Sequence, residues 1–242
     1  MGTRSNVARP DTGVKGVFLS VGSAGVLTAL GVIAAFASVI VVDPLFGTIR
    51  TEWEPFGELL QNYIVQPGFG LIAACYIWRR DDYNPLDRIQ TPSVEGIAWI
   101  GLIPIGYEMA VRVVTPLLPI LGLSHGAHDG TATWQVLLQH PEIIVPGLVI
   151  MFGVMAPMEE ILYRGVVHDA LEPAIGSPGR VVIGGLLFGV MHLFLSGGIV
   201  SMLLTSIFGL LAAGAYERSK NLTVQSWRTR VIGSCLPLFN WI

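Results

Sequence analysis

A long apolar run ends in three ionisable residues in the stretch Ile143–Gly165, which reads IIVPGLVIMFGVMAPMEEILYRG. Ionisable side chains at membrane depth are costly, so Glu159, Glu160 and Arg164 are candidates for a functional site. If the stretch is helical, Glu160 and Arg164 lie one turn apart and can form an ion pair on one face. Glu159 then points about 100° away from Glu160. The pattern predicts one carboxylate that is held by the arginine and a neighbouring carboxylate that is available for chemistry.

The whole chain has the composition of an integral membrane protein. Of its 242 residues, 52% are hydrophobic and 13% are charged, whereas a soluble domain has about 25% charged residues. The apolar segments predict an all-α, polytopic transmembrane helical bundle with about six spans of roughly 20 residues. The formal net charge of −3 gives no indication of a nucleic-acid partner. The two cysteines lie in separate apolar segments, so neither a disulfide framework nor a cysteine-based metal site is expected.

The distribution of Lys and Arg between the predicted spans indicates the topology. The predicted spans are 16–42, 59–78, 94–121, 143–171, 181–195 and 199–216. The segments between them alternate between rich and poor in Lys and Arg, so the positive-inside rule predicts a cytoplasmic N-terminal tail at 1–15. We therefore expect a multi-pass protein of the cell membrane, with its transmembrane domain at 16–224 and the bilayer as its surroundings. Gln61, Asn62 and Gln66 make the first half of the second predicted span polar.

A histidine lies deep in the fifth predicted span, in the sequence Phe188-Gly189-Val190-Met191-His192. A buried histidine needs a hydrogen-bond partner. Glu159 is twelve residues from Leu171, and His192 is twelve residues from Arg180. In regular helices each side chain is therefore about 18 Å from the same membrane side. A carboxylate and an imidazole at one depth can activate water, which predicts peptide hydrolysis within the membrane with Glu159 as general base.

These residues resemble two motifs of a known family. Glu159-Glu160-x-x-x-Arg164 followed by Phe188-x-x-x-His192 is similar to motifs one and two of the CPBP family, also called Abi or CAAX amino-terminal proteases, which includes the type II CAAX prenyl endopeptidases. The resemblance extends from about residue 155 to residue 221. It implies an intramembrane endopeptidase in which Glu159 and His192 activate water and Glu160 and Arg164 complete motif one. It further implies a peptide or membrane-protein substrate, with or without a prenyl group.

The resemblance leaves the question of a metal open. Members of the family have also been described as metalloproteases, but two carboxylates and one histidine are too few ligands for a closed zinc site, which has four. The chain also has no His-Glu-x-x-His sequence. We therefore expect no cofactor and a metal-free mechanism, with a divalent metal such as zinc as the alternative.

The third motif of the family, His-x-x-x-Asn, is not found in the sequence. No histidine follows His192, and Leu236 lies four residues before Asn240. In the family this motif stabilises the oxyanion, and the loss of one such donor costs about 10²–10³ in rate. We therefore expect residues 225–242 to be an atypical, altered end in place of the last helix. The alternative functions are a catalytically impaired membrane scaffold or immunity-type protein, and a transporter that uses Glu159, Glu160 and His192 as a proton relay.

Overall fold

The structure is a computed structural model, and it describes residues 13–52, 57, 63–80, 84–123, 139–195 and 198–224. The expected altered end at 225–242 and nearly all of the expected N-terminal tail lie outside the described residues, so both remain predictions.

All regular secondary structure in the described part of the chain is helical, which confirms the predicted all-α class. Five helical segments are long and apolar enough to cross a membrane, close to the prediction of about six. One more helix, Gln66–Trp78, has only 13 residues, or about 20 Å, and is shorter than the hydrocarbon core of about 30 Å. The helices are α1 Val14–Glu52, α2 Gln66–Trp78, α3 Val94–Val114, α4 Pro141–Leu171, α5 Ser177–Leu195 and α6 Ile199–Ser219.

The helix ends follow local sequence signals. Helix α2 begins at Gln66 because proline in the first turn has a backbone suited to a helix start and needs no N–H partner there. The Ser93 hydroxyl caps α3 by accepting a hydrogen bond from the Gly96 N–H at 3.2 Å. The predicted third span at 94–121 is α-helical only to Val114, and two 3₁₀ turns follow, each with a proline in its first turn.

Helix α4 is continuous but not regular. α-Helical turns at Ile144–Ile150, Ala156–Glu160 and His168–Leu171 alternate with π-helical turns at Met151–Met155 and Ile161–Val167. π-Helical turns are rare and occur frequently at functional sites. Glu159 and Glu160 lie in the short α-helical segment between the two π-helical segments.

Small residues allow α5 and α6 to pack closely as antiparallel neighbours. A Cβ atom added at Gly189 would lie 2.6 Å from the Met202 carbonyl oxygen, and one added at Gly209 would lie 2.6 Å from the Gly185 carbonyl oxygen. Only glycine permits backbones to approach this closely. The close packing holds α5, and with it His192, against α6.

Helix α2 runs parallel to α4 and is tied to it at two levels. The Gln66 side chain donates a hydrogen bond to Glu159, and the Tyr76 hydroxyl donates one to Asp169 at 2.6 Å. In each pair the two partners are 93 residues apart in the chain. The two helices therefore keep one register over ten residues of α2, or about 15 Å. On its other side α2 packs on α1, because a Cβ atom at Gly68 would lie only 2.3 Å from the Ala34 carbonyl carbon.

Charged side chains gather at the end of the bundle where α2 and α4 end and α5 begins. Arg88 lies near Glu172 and donates to the Tyr216 hydroxyl, while Arg180 forms a bidentate pair with Glu217 at 2.6 and 2.8 Å. Glu217 also bonds to His168 and Lys220, and Arg80 lies 3.6 Å from Asp169. These contacts join α2, α4, α5 and α6 at one end of the bundle.

Candidate active site

The ion pair expected from the spacing of Glu160 and Arg164 is present inside the bundle. Arg164 Nε lies 3.2 Å from Glu160 Oε2, and the two side chains are 3% and 1% exposed. A buried ion pair repays its desolvation only when its geometry is good and its remaining groups are satisfied. The pair therefore marks a polar centre that the surrounding apolar helices must accommodate.

The Arg164 guanidinium has further capacity to donate hydrogen bonds. Its Nη1 and Nη2 atoms are buried and have no hydrogen-bond partner among the described residues. The guanidinium lies 4.6 Å from the centre of the Phe188 ring on α5, which is within cation–π distance. Arg164 also interacts electrostatically with both Glu159 and His192. It is thus the residue that links the first motif to the second.

Glu159 is placed differently from its neighbour. Its side chain is buried, and its Oε1 accepts a hydrogen bond of 2.9 Å from Gln66 Nε2. The partner is a neutral amide from another helix and not the guanidinium that pairs with Glu160. The expected division of the two carboxylates, one in the ion pair and one outside it, is therefore seen in the structure.

His192 lies on α5 beside the same aromatic ring that contacts Arg164. Its Nδ1 lies 2.9 Å from the Phe188 carbonyl oxygen, and its ring centre lies 4.8 Å from that of Phe188. A carbonyl oxygen can only accept, so Nδ1 carries the proton in this contact and Nε2 keeps its lone pair when the ring is neutral. His192 is therefore prepared to accept a hydrogen bond at Nε2.

The structure does not join Glu159 and His192 directly. The two side chains, both in the described part of the chain, share no hydrogen bond; Arg164 is the residue that interacts with each. The equal depths expected from regular helices assume a constant rise of 1.5 Å per residue, and the π-helical turns at Ile161–Val167 depart from that geometry. A water molecule and a substrate group have to lie between the two side chains if they act together.

Sequence reasoning missed Gln66 as a partner of Glu159. The signal was present, because a glutamine in an apolar segment needs a polar partner. The identity of that partner depends on how α2 packs against α4, and no local spacing contains this information. Residues around Glu159 also include Tyr163, which is buried and packs edge to face on Phe188 with ring centres 5.1 Å apart.

The described side chains do not form an obvious metal centre. Among them, no group of three or more His, Cys, Asp or Glu residues is arranged to hold a metal ion. The two adjacent carboxylates of motif one have other partners, an amide for Glu159 and a guanidinium for Glu160. This arrangement of ligands does not fit a closed zinc site.

The fold and the site together define a multi-pass membrane protein with a buried Glu-Glu-Arg centre facing a histidine on the next helix. Residues 141–227 match the family model described as type II CAAX prenyl endopeptidase Rce1-like. This segment contains both motifs, and the match supports the assignment to a CAAX-protease-type membrane endopeptidase family that the motifs predicted. Gln66 and the whole of α1, α2 and α3 lie outside the matched segment. No curated protein and no solved structure was found to match the chain.

Proposed function

We propose that this chain is an intramembrane endopeptidase that uses a water molecule activated by Glu159 and His192. The observation that carries the proposal is that two adjacent buried carboxylates have partners of different charge. Glu160 is neutralised by Arg164, whereas the hydrogen-bond partner of Glu159 is an uncharged amide. A carboxylate that is buried but not held by a cation is suited to accept a proton.

The proposed reaction is hydrolysis of one peptide bond. Glu159 takes a proton from the water as the water oxygen adds to the carbonyl carbon of the substrate. The C–N bond then breaks, and Glu159 passes the same proton to the leaving amine nitrogen. The second water proton stays in the new carboxyl group, so Glu159 returns to its starting state.

His192 and Arg164 take supporting roles in this proposal. His192 Nε2 accepts a hydrogen bond from the water, because Nδ1 is occupied with the Phe188 carbonyl. The buried Nη atoms of Arg164, which have no acceptor among the described residues, donate to the oxygen that becomes negative during attack. Donors aimed at a developing oxyanion in a dry site give about 10²–10³ in rate each. Glu160 holds the guanidinium in place through the ion pair.

We further propose that the catalytic unit spans 16–224, with its N-terminus in the cytoplasm and with peptide or membrane-protein substrates. The clustering of Arg80, Arg88, Arg180 and Lys220 at one end of the bundle supports this orientation, since basic residues are enriched on the cytoplasmic side. A prenylated substrate is the finer form of the proposal, because the matched family model carries that description.

The test is cleavage by purified protein in lipid nanodiscs. The substrate is a fluorogenic peptide ending in Cys-Val-Ile-Met, offered with and without a farnesyl group on its cysteine. We expect cleavage by the wild type and a loss of at least about 10²-fold in Glu159→Gln and His192→Ala. The matched control is Glu108→Gln, which removes another intramembrane carboxylate that belongs to a half-exposed pair.

The outcomes separate the alternatives. Cleavage that survives in Glu159→Gln would overturn the proposed base. Cleavage of the farnesylated peptide only would support the prenyl-dependent form, and equal cleavage of both would reject it. No cleavage of either peptide by a folded wild-type protein would favour the membrane scaffold.

A further inference from the structure

We infer that Gln66 is a positioning residue of the active site, whose amide nitrogen holds Glu159 and whose side-chain oxygen binds the attacking water. This inference rests on the proposed hydrolytic function. It extends the site beyond the matched segment 141–227, because Gln66 belongs to α2.

The contact between Gln66 and Glu159 has a defined polarity. Gln66 Nε2 lies 2.9 Å from Glu159 Oε1, and a carboxylate oxygen can only accept. The amide NH₂ group therefore faces Glu159, and the amide oxygen points elsewhere. The glutamine side chain is 3% exposed, so bulk water does not supply a partner for that oxygen.

The Gln66 oxygen is buried and has no hydrogen-bond partner among the described residues. An acceptor left in this condition is destabilising because its bonds to water are lost without replacement, and buried side-chain polar atoms are nearly always paired. A glutamine that served only to tie two helices together would be expected to satisfy both ends of its amide. The free oxygen indicates that a group other than the described residues supplies a donor here, and a bound water molecule is such a group.

A water molecule beside Glu159 fits this requirement. Water has two protons, of which Glu159 takes one during attack, and the other is shared by Gln66 Oε1 and His192 Nε2 in a three-centre hydrogen bond. That second proton stays on the oxygen and ends in the carboxyl product. With both protons directed toward the protein, a lone pair of the water oxygen is left to face the carbonyl carbon.

The fold holds Gln66 firmly enough for this role. Two residues further along α2, Gly68 packs against the α1 backbone with no room for a side chain, and a Cβ atom at Gly70 would lie 3.2 Å from the Met158 sulfur. The hydrogen bond between Tyr76 and Asp169 sets the register of α2 on α4 ten residues away. Residues held by packing on both sides keep a catalytic geometry without reorganisation.

The experiment measures kcat and KM for the cleavable peptide with Gln66→Met and Gln66→Glu. Methionine matches glutamine in length but has neither the donor nor the acceptor; glutamate keeps the acceptors but cannot donate when ionised. We expect both variants to lower kcat roughly 10- to 100-fold, as a lost hydrogen bond to a charged group implies, with KM changed less than about 3-fold. The control on the same helix is Cys75→Ala, which should keep kcat within about 2-fold.

A double variant tests whether Gln66 acts through Glu159. In the Glu159→Gln background, Gln66→Met should reduce the residual rate less than about 3-fold, because the group that it positions is no longer a base. A merely structural glutamine would tolerate methionine with little change in kcat, since swaps that conserve volume are tolerated best.

The results distinguish this inference from the proposed function. Full kcat in Gln66→Met, together with activity lost in Glu159→Gln, would overturn the role of Gln66 and leave the protease intact. If the methionine variant fails to fold, full kcat in Gln66→Glu would likewise overturn the role of Gln66. A folded wild-type protein that cleaves neither peptide would overturn the protease and the role of Gln66 together.

Discussion

Removal of the carboxylate should lower the free energy of unfolding far more in the buried Glu160–Arg164 pair of α4 than in the other Glu-x-x-x-Arg pair of the chain. Both pairs are four residues apart on a helix, with N–O distances of 3.2 Å for Glu160–Arg164 and 2.7 Å for Glu108–Arg112. Their exposure differs: the first pair is 1% and 3% exposed, and the second is 18% and 48% exposed. The second pair is therefore a matched control with the same local sequence geometry.

The expected magnitude follows from this difference in burial. Glu160→Gln leaves the Arg164 guanidinium inside the bundle without its paired carboxylate, and breaking a buried pair in this way costs about 3–5 kcal/mol. Glu108→Gln leaves Arg112 half-exposed in the last turn of α3, from where its long side chain can extend to the membrane–water interface; loss of a pair there costs about 0–1 kcal/mol. The double variant Glu160→Leu with Arg164→Met removes both charges and should recover most of the stability, though not the activity.

The free energy of unfolding can be measured by SDS titration of the detergent-solubilised protein, followed by far-ultraviolet circular dichroism. Equal losses in Glu160→Gln and Glu108→Gln would refute the reasoning, because burial would then not decide the strength of the pair. A double variant less stable than Glu160→Gln would refute it as well.

Two glycines at helix contacts yield further predictions. Gly189→Ala places a methyl group 2.6 Å from the Met202 carbonyl oxygen, so α5 and α6 must separate; we expect a loss of about 1–3 kcal/mol in the same titration. Gly68→Ala pushes α2 from the Ala34 backbone of α1, and should lower both stability and the cleavage rate because α2 carries the partner of Glu159. Gly22→Ala is the control, since a Cβ atom there meets nothing within 4 Å; a stability change beyond about 1 kcal/mol in this variant would contradict the packing argument.

Local features of the fold could be predicted because they depend on spacing within one helix. The apolar composition was enough for the all-α membrane class, and four-residue spacing was enough for the Glu160–Arg164 pair. The family could be recognised for the same reason, since its two motifs are short local patterns. Helix boundaries were less predictable: the third predicted span extended to residue 121, but its α-helix ends at Val114, where prolines favour 3₁₀ turns.

The sequence by itself determined which residues are costly to bury in this membrane protein, and therefore which ones needed partners. The tertiary structure alone decided what those partners are. Gln66 reaches Glu159 across 93 residues because α2 packs parallel to α4 in one register, and Arg164 lies against Phe188 because α5 packs on the same helix. The tertiary structure also decided that the Glu160–Arg164 pair is buried and that the Glu108–Arg112 pair is half-exposed. The physical reason is that helical periodicity acts over one or two turns, whereas burial and long-range partners depend on how whole helices pack.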